Sequence, residues 1–294
     1  MPAVPGAAPS LRPHEVGGAR LPISVSLGGI GVDASWWLRA AGRLDAAGYA
    51  GVATWDHHVA RGAPKPVLEA WTILAAAAAT TARIGCWTHV LNVMNRNPVV
   101  LARMAATFQQ VSGGRLVLGI GTGGSAADHE PFGIPRPDAA ERAARLEEVV
   151  AVLRLLWGGE PVTFDGRFTT LREARLLPAP APVPPIVVAG QTPAGARLAA
   201  RAGDGWTTRA DDLRRLRPVF EAALAEAGRD RGSVSVIAGW EGGRTGVDAL
   251  AGSPWIAAPR ETWEAWREAG ADGINLVART TADVDALVDA VARW

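Results

Sequence analysis

The chain has 294 residues, 48% of them apolar and 20% charged, with a formal net charge of +1. That length allows one large α/β domain or two small ones with a substantial core, and the near-neutral charge gives no electrostatic case for nucleic acid or an anionic membrane. Cys86 is the only cysteine, which excludes an intramolecular disulfide, speaks against a Cys-based metal site and fits a cytoplasmic location.

The first 20 residues, MPAVPGAAPSLRPHEVGGAR, are rich in Pro and Gly and lack an apolar segment. They read as a disordered tail rather than a signal peptide. The longest apolar stretch, ILAAAAA, is too short to span a bilayer. From there strand-like and helix-like segments alternate. PISVSLG (22–28) reads as a strand, ASWWLRAAGRLDAAG (34–48) as a helix stopped by Gly48, and YAGVATW (49–55) as the next strand. PVLEAWTILAAAAATT (66–81) is helical and RIGCWTHV (83–90) is a third strand. Asn97 then caps a helix with Pro98 in its first turn. Leu101, Met104, Phe108 and Val111 form its expected buried stripe, and Gly113–Gly114 end it.

GRLVLGIG (114–121) is the fourth strand. The helix over 139–157 places Leu146, Val149, Val150, Leu153 and Trp157 on one face. VTFDGRFTTL (162–171) carries Asp165-Gly166 between β-formers and reads as a hairpin outside the main repeat. PPIVVAG (184–190), DGWTT (204–208), SVSVIAG (233–239) and DGINLVA (272–278) supply four more strands, and ADVDALVDAVARW closes the chain as a helix. Eight strands in alternation with helices argue for one (β/α)8 TIM barrel over 21–294, with a small hairpin insertion before strand five.

GIGTGG (119–124) contains a literal G-x-G-x-x-G. A dinucleotide fingerprint belongs in the first βα turn and flows directly into a helix. Here the strand is the fourth, and Pro131, Gly133, Pro135 and Pro137 follow, so no helix starts at the glycines. Two readings stay open: a purely structural loop, or backbone N–H groups at the barrel rim that suit a phosphate or ribityl chain.

NPVVLARMAATFQQVSGGRLVLGIGTG, then ERAARLEEVVAVLRLLW, a hairpin, and PPIVVAGQTPAGARLAARAGDGW together resemble the bacterial luciferase-like superfamily, and within it the branch that uses the deazaflavin coenzyme F420. The resemblance implies a cofactor ring across the C-terminal ends of the strands and a homodimer. It implies a strand-three bulge with a non-proline cis peptide, which counting back from Arg96-Asn97-Pro98 places at Thr88–His89. The family's Asp-His pair matches Asp56 and His57. Phosphate and tail contacts match Gly121, Thr122 and Gly123, and the turn Ala189, Gly190, Gln191 and Thr192. Thr122 stands where FMN-using relatives commonly place an arginine, which favours F420. The branch's sugar-phosphate dehydrogenases carry a glutamate where this chain has Gly124, which argues against glucose 6-phosphate as substrate.

On that basis His57 is the leading proton-transfer group, because an imidazole titrates near physiological pH, the alternative being a rim histidine that only orients cofactor or neighbouring backbone. Asp56 is expected to meet the deazaflavin ring, to orient His57 or to serve as a helix cap or loop residue, and His58 to serve as a wall. Thr88 and His89 are expected behind the ring, His89 either contributing backbone and ring contact or standing as a buried strand histidine with a satisfied hydrogen bond. His129 and Glu130 are read as part of a mobile lid. Trp240, Glu241 and Arg209 are candidate substrate contacts at the rim, and Arg136, Arg142 and Arg209 could meet the cofactor's oligoglutamate tail. The implied activity is F420-dependent hydride transfer to or from a C=C, C=N or carbonyl/alcohol group of a small molecule. An FMN-dependent monooxygenase and a non-catalytic flavin-binding barrel are the alternatives.

Overall fold

The computed structural model describes residues 12–16, 21–60, 62–240 and 250–294. Strand β1 (Leu21–Ser26) leads into helix α1 (Ala34–Ala47), β2 (Tyr49–Thr54) into α2 (Ala70–Thr80), and β3 (Gly85–Asn92) into α3 (Pro98–Ser112). β4 (Leu116–Gly121) is followed by α4 (Ala139–Trp157) and by an antiparallel hairpin of β5 (Val162–Asp165) and β6 (Thr170–Ala174). Then come β7 (Ile186–Ala189), α5 (Pro193–Ala202), β8 (Gly205–Arg209), α6 (Ala210–Glu226) and β9 (Ser235–Trp240). α7 (Pro254–Ala257), α8 (Pro259–Glu268), β10 (Gly273–Val277) and α9 (Thr281–Ala290) complete the described chain. Eight parallel strands close a barrel in the order β1-β10-β9-β8-β7-β4-β3-β2, with the hairpin outside it. This is the (β/α)8 architecture expected from the alternation.

Local chemistry sets the helix ends. Gly48 and Gly113 adopt left-handed conformations at the C-caps of α1 and α3, with φ of 90° and 65°. The Asn97 side chain accepts from the Val99 and Val100 N–H groups, and Asp138 accepts from Glu141. α4 buries Leu146, Val149, Val150, Leu153 and Trp157, as its periodicity predicts. α2 starts later than expected, because Glu69 caps it by accepting from Trp71 and Thr72. The α3 stripe is also corrected. Its buried side runs through Leu101, Ala105, Phe108 and Ser112, whereas Val111 is 52% exposed and Met104 is half-buried. Leu101 and Phe108 are buried as expected, and the small Ala102, Ala105 and Ala106 fill the rest of the inner face in place of Met104 and Val111. In the hairpin a four-residue connection replaces a tight turn, because Glu148 of α4 accepts from the Arg167 and Phe168 N–H groups at 2.7 and 2.9 Å.

The main core lies between the outer strand faces and the helices. A second cluster, Val16, Ala53, Trp87, Val117, Val187 and Ile237, fills the barrel interior. Trp87 lies over Gly51, where an added Cβ would stand 2.2 Å from the indole Nε1. Residues 12–16 fall within the segment read as a tail, yet Pro13–Glu15 form a 3-10 turn and Val16 is 1% exposed. Pro13 sits beside Gly205, the first residue of β8, so this turn covers the N-terminal end of the barrel. Higher up, the buried Ser24, Ser26 and Asn275 satisfy one another: Ser26 donates to Asn275 Oδ1, and Asn275 Nδ2 donates to Ser24. With the floor filled, room for a ligand lies at the strand C-termini. Among the described residues no helix is long and apolar enough to cross a membrane.

Candidate functional site

β3 departs from regular pairing at the rim. Thr88 pairs with Leu118 and Leu91 with Ile120, which inserts one extra residue on β3. The cis peptide is His89–Val90, one residue beyond the expected Thr88–His89. Thr88 is still held in register, its Oγ1 donating to the Gly119 carbonyl at 2.7 Å, so the backbone departs only after it. The glycines of β4 make room for this bulge. A Cβ at Gly119 would lie 1.9 Å from the Thr88 carbonyl oxygen, and one at Gly121 would lie 2.8 Å from Val90 Cγ2. Gly123 has φ +68°, and its Cβ would lie 2.1 Å from Asn92 Oδ1. Nothing lies within 4 Å of a Cβ at Gly124.

Among the described residues, the N–H groups of Thr122, Gly123 and Gly124 have no protein partner. The same holds for Gln191, Thr192 and Ala194 at the end of β7, which neighbours β4. Here Thr192 caps α5 by accepting from Gly195, and a Cβ at Gly190 would lie 2.4 Å from the Gly195 carbonyl carbon. Gly190 therefore lets the turn fold tightly against the helix start. Both turns present backbone donors at adjacent strand ends, one of them at a helix N-terminus.

Of the roles open to Asp56, its hydrogen bonds are those of a loop residue, with none to His57 among the described residues. Its carboxylate accepts from Arg96 at 2.7 and 3.1 Å, from the Asn92 N–H at 3.0 Å and from Asn95 Nδ2 at 3.2 Å. Arg96 also donates to Glu69 at 2.7 Å. Burial works against the Arg96 charge, but the two carboxylates hold its pKa above the ordinary arginine value. Asp56 thus ties down the loop between β3 and α3.

His57 instead meets Asp128, a residue the sequence reading missed. Its Nδ1 lies 2.7 Å from Asp128 Oδ2, and Asp128 Oδ1 accepts from the His58 and Val59 N–H groups at 2.8 and 3.3 Å. Burial alone would raise the Asp128 pKa, but hydrogen bonds from His57 and the His58 backbone hold it below the usual carboxylate value. The neighbouring His129 is fully buried, which removes it from an exposed lid. Its Nε2 lies 2.6 Å from Asn92 Nδ2 and its Nδ1 3.2 Å from the Pro135 carbonyl, which assigns the proton to Nδ1. Glu130 beside it is exposed.

His89 reaches across the barrel mouth, with Nε2 2.9 Å from Thr207 Oγ1 and Cε1 3.9 Å from the position of a Cβ at Gly239. The crowding of protein around it pushes its pKa down to about 4, so the ring is neutral at pH 7. His58 packs against Phe132 with ring centroids 5.4 Å apart, as a wall residue would. Arg209 pairs with Asp212 at 2.9 Å, and Trp240 is half-buried against the main core. Arg136 donates to the Gly124 carbonyl and Arg142 to the Pro137 carbonyl. Glu241 lies outside the described residues.

Residues 24–241 match the family model described as luciferase-like monooxygenase. The chain belongs to this family. Within it, the chain is 39% identical over 153 residues to an F420-dependent glucose-6-phosphate dehydrogenase of Beutenbergia cavernae, a match covering 52% of this chain and 44% of that protein. It is 37% identical over 166 residues to an F420-dependent hydroxymycolic acid dehydrogenase of Mycobacterium tuberculosis, covering 54% and 45%. These matches span about half the length of each relative. Among solved structures, an F420-dependent secondary alcohol dehydrogenase superposes with a TM-score of 0.80 at 23% identity, covering 92% of this chain and 98% of that one. An EDTA monooxygenase from Chelativorans superposes with a TM-score of 0.76 at 18% identity, covering 93% and 94%. The luciferase-like barrel is therefore common to dehydrogenases and monooxygenases.

Proposed function

We propose that this luciferase-like barrel is a cytoplasmic F420-dependent oxidoreductase that transfers a hydride between the deazaflavin and a small organic molecule, at a C=C, C=N or carbonyl/alcohol group. The observation that carries this reading is the sequence likeness to proteins named as F420-dependent, across more than half of the chain. The rim fits such a cofactor. The free N–H groups of Thr122, Gly123 and Gly124, with those of Gln191, Thr192 and Ala194, would hold its phosphate and ribityl chain without a formal positive charge. The bulge at Thr88, His89 and Val90 would back the ring, and His89, neutral and anchored on Thr207, adds an uncharged wall. When bound, the deazaflavin supplies the two-electron chemistry. His57 holds or moves the accompanying proton. Gly124 leaves open space on the substrate side, which suits a substrate other than glucose 6-phosphate.

The protein works as a homodimer in this reading. The outer face of α3 exposes Val100 and Val111, which flank an apolar groove of about 450 Å³ shared with Trp71, Met104 and Leu176. A second copy of the chain is the occupant that this proposal assigns to it, and light scattering on the purified protein tests it.

Titration with F420 and FMN separately tests the cofactor. F420 should bind at least tenfold more tightly, roughly 1.4 kcal/mol. Its affinity should weaken modestly with salt, because Arg136 and Arg209 lie at an exposed rim. Equal or tighter FMN binding would move the protein to the monooxygenases, and binding of neither would favour a non-catalytic barrel. A panel of secondary alcohols and enones then reports turnover with oxidised and reduced F420.

A further inference from the structure

His57 and Asp128 come from different loops, after β2 and after β4, and their contact defines the state of the imidazole. We propose that Asp128 is a positioning residue that fixes His57 as the Nδ1–H tautomer and leaves Nε2 as the proton acceptor at the barrel rim. The tautomer assignment stands on the geometry alone, and its bearing on turnover rests on the reading of His57 as the proton-transfer group.

The two oxygens of Asp128 have separate tasks. Oδ1 accepts two backbone N–H groups, those of His58 and Val59, and Oδ2 faces His57 Nδ1 at 2.7 Å. An ionised carboxylate offers only acceptors, so a contact of that length requires the proton on Nδ1. Nε2 then carries the lone pair. It has no partner among the described residues and is not buried, and the His57 side chain is 36% exposed. Asp128 is 4% exposed and its carboxylate is pinned by the two amides, so it cannot rotate to follow the ring. Asp56, the sequence neighbour of His57, cannot take this task, because both its oxygens are engaged by Arg96 and the loop after β3. The loop with the free N–H groups at Thr122–Gly124 therefore also sets the protonation pattern of His57.

Asp128→Asn separates this role from simple scaffolding. The His58 and Val59 amides both need an acceptor, so the amide oxygen should take the Oδ1 place and the NH2 group should face His57. Nδ1 must then accept, and the proton moves to Nε2. The variant keeps the shape of the site and inverts the tautomer. Long-range nitrogen–proton NMR on histidine-labelled full-length protein, at about pH 9 where imidazoles are neutral, reads the tautomer directly and needs no cofactor. Wild type should show His57 protonated at Nδ1, and Asp128→Asn should show it at Nε2. F420 affinity should stay within about twofold, while kcat on the alcohols and enones of the panel falls about 100- to 10,000-fold. Inversion with unchanged turnover would support the tautomer control and remove His57 from proton transfer. A wild-type ring protonated at Nε2 overturns the proposal even if the variant does not fold, as does a variant that keeps the wild-type tautomer.

Discussion

Asp56→Ala tests whether the acidic half of the Asp-His pair is structural. Asp56 is 8% exposed and the Arg96 side chain 14% exposed, so the truncation leaves a largely buried guanidinium without its bidentate partner. Breaking a buried pair from one side costs about 3–5 kcal/mol. Glu69 remains within 2.7 Å of Arg96 but is 48% exposed, so it offsets only part of that loss. The Asn92 N–H and Asn95 Nδ2 also lose their acceptor, each contact being 3.0 to 3.2 Å. The low end of the range, about 3 kcal/mol, is the expected net loss. For a domain of this size that lowers Tm by roughly 5 °C. Urea unfolding and thermal melts measure it, and Arg96→Ala in the same background should add much less than it does alone. A loss below about 1 kcal/mol would refute the structural assignment. A fully stable Asp56→Ala protein with turnover abolished would return Asp56 to the chemistry.

His57→Ala should lower turnover by about 100- to 10,000-fold while changing F420 affinity much less; normal turnover at saturating F420 would make His57 a binding residue. His89 predicts an acid-side loss of stability. Its folded pKa, about 4, is below the ordinary histidine value, so the unfolded chain binds the extra proton first. Its contribution is fully present above about pH 6.5 and is lost as pH falls through about 4, by at most about 1.4 kcal/mol per pH unit. His89→Gln can still hydrogen-bond Thr207, and its stability measured by urea at pH 7, 6 and 5 should fall less steeply than that of wild type. Parallel slopes would show that His89 does not titrate in this way.

The barrel and most helix boundaries were legible because their causes are local: alternating apolar strands, the caps at Asn97 and Asp138, and glycines at 48 and 113. The inner face of α3 was legible at Leu101 and Phe108 only, because its other close contacts use Ala102, Ala105 and Ala106, which carry little hydrophobic signal beside Val111. Val16 was missed for a similar reason. One apolar residue among prolines and glycines has no periodicity, yet it fills the floor of the barrel. Counting from Arg96-Asn97-Pro98 located β3 and its bulge but set the cis peptide one residue early, since a one-residue change of register leaves no mark in composition. Asp56 and His57 were legible as a pair, but which carboxylate orients His57 was not. The sequence separation of 71 residues between His57 and Asp128 joins two irregular loops, where no pattern rule applies.

The glycine turn after β4 reconciles the two readings that its sequence left open. Gly119, Gly121 and Gly123 alternate because the β3 bulge and Asn92 press against β4 at every second residue, with added Cβ atoms meeting Thr88, Val90 and Asn92 at 1.9, 2.8 and 2.1 Å. These glycines are structural, and the turn that continues them carries the unpaired N–H groups of Thr122–Gly124 at the rim. Gly124 differs, because a Cβ there meets nothing within 4 Å. Gly119→Ala must therefore push back the Thr88 carbonyl, a backbone group that cannot rotate away, and should cost at least the 1–3 kcal/mol typical of overpacking. Because the bulge moves with it, F420 affinity should fall as well. Gly124→Ala should leave stability within about 0.5 kcal/mol of wild type and act only on the substrate range. Urea unfolding of the two variants, with F420 titration of each, separates these expectations. Equal tolerance at both positions would mean that the bulge does not depend on the glycines.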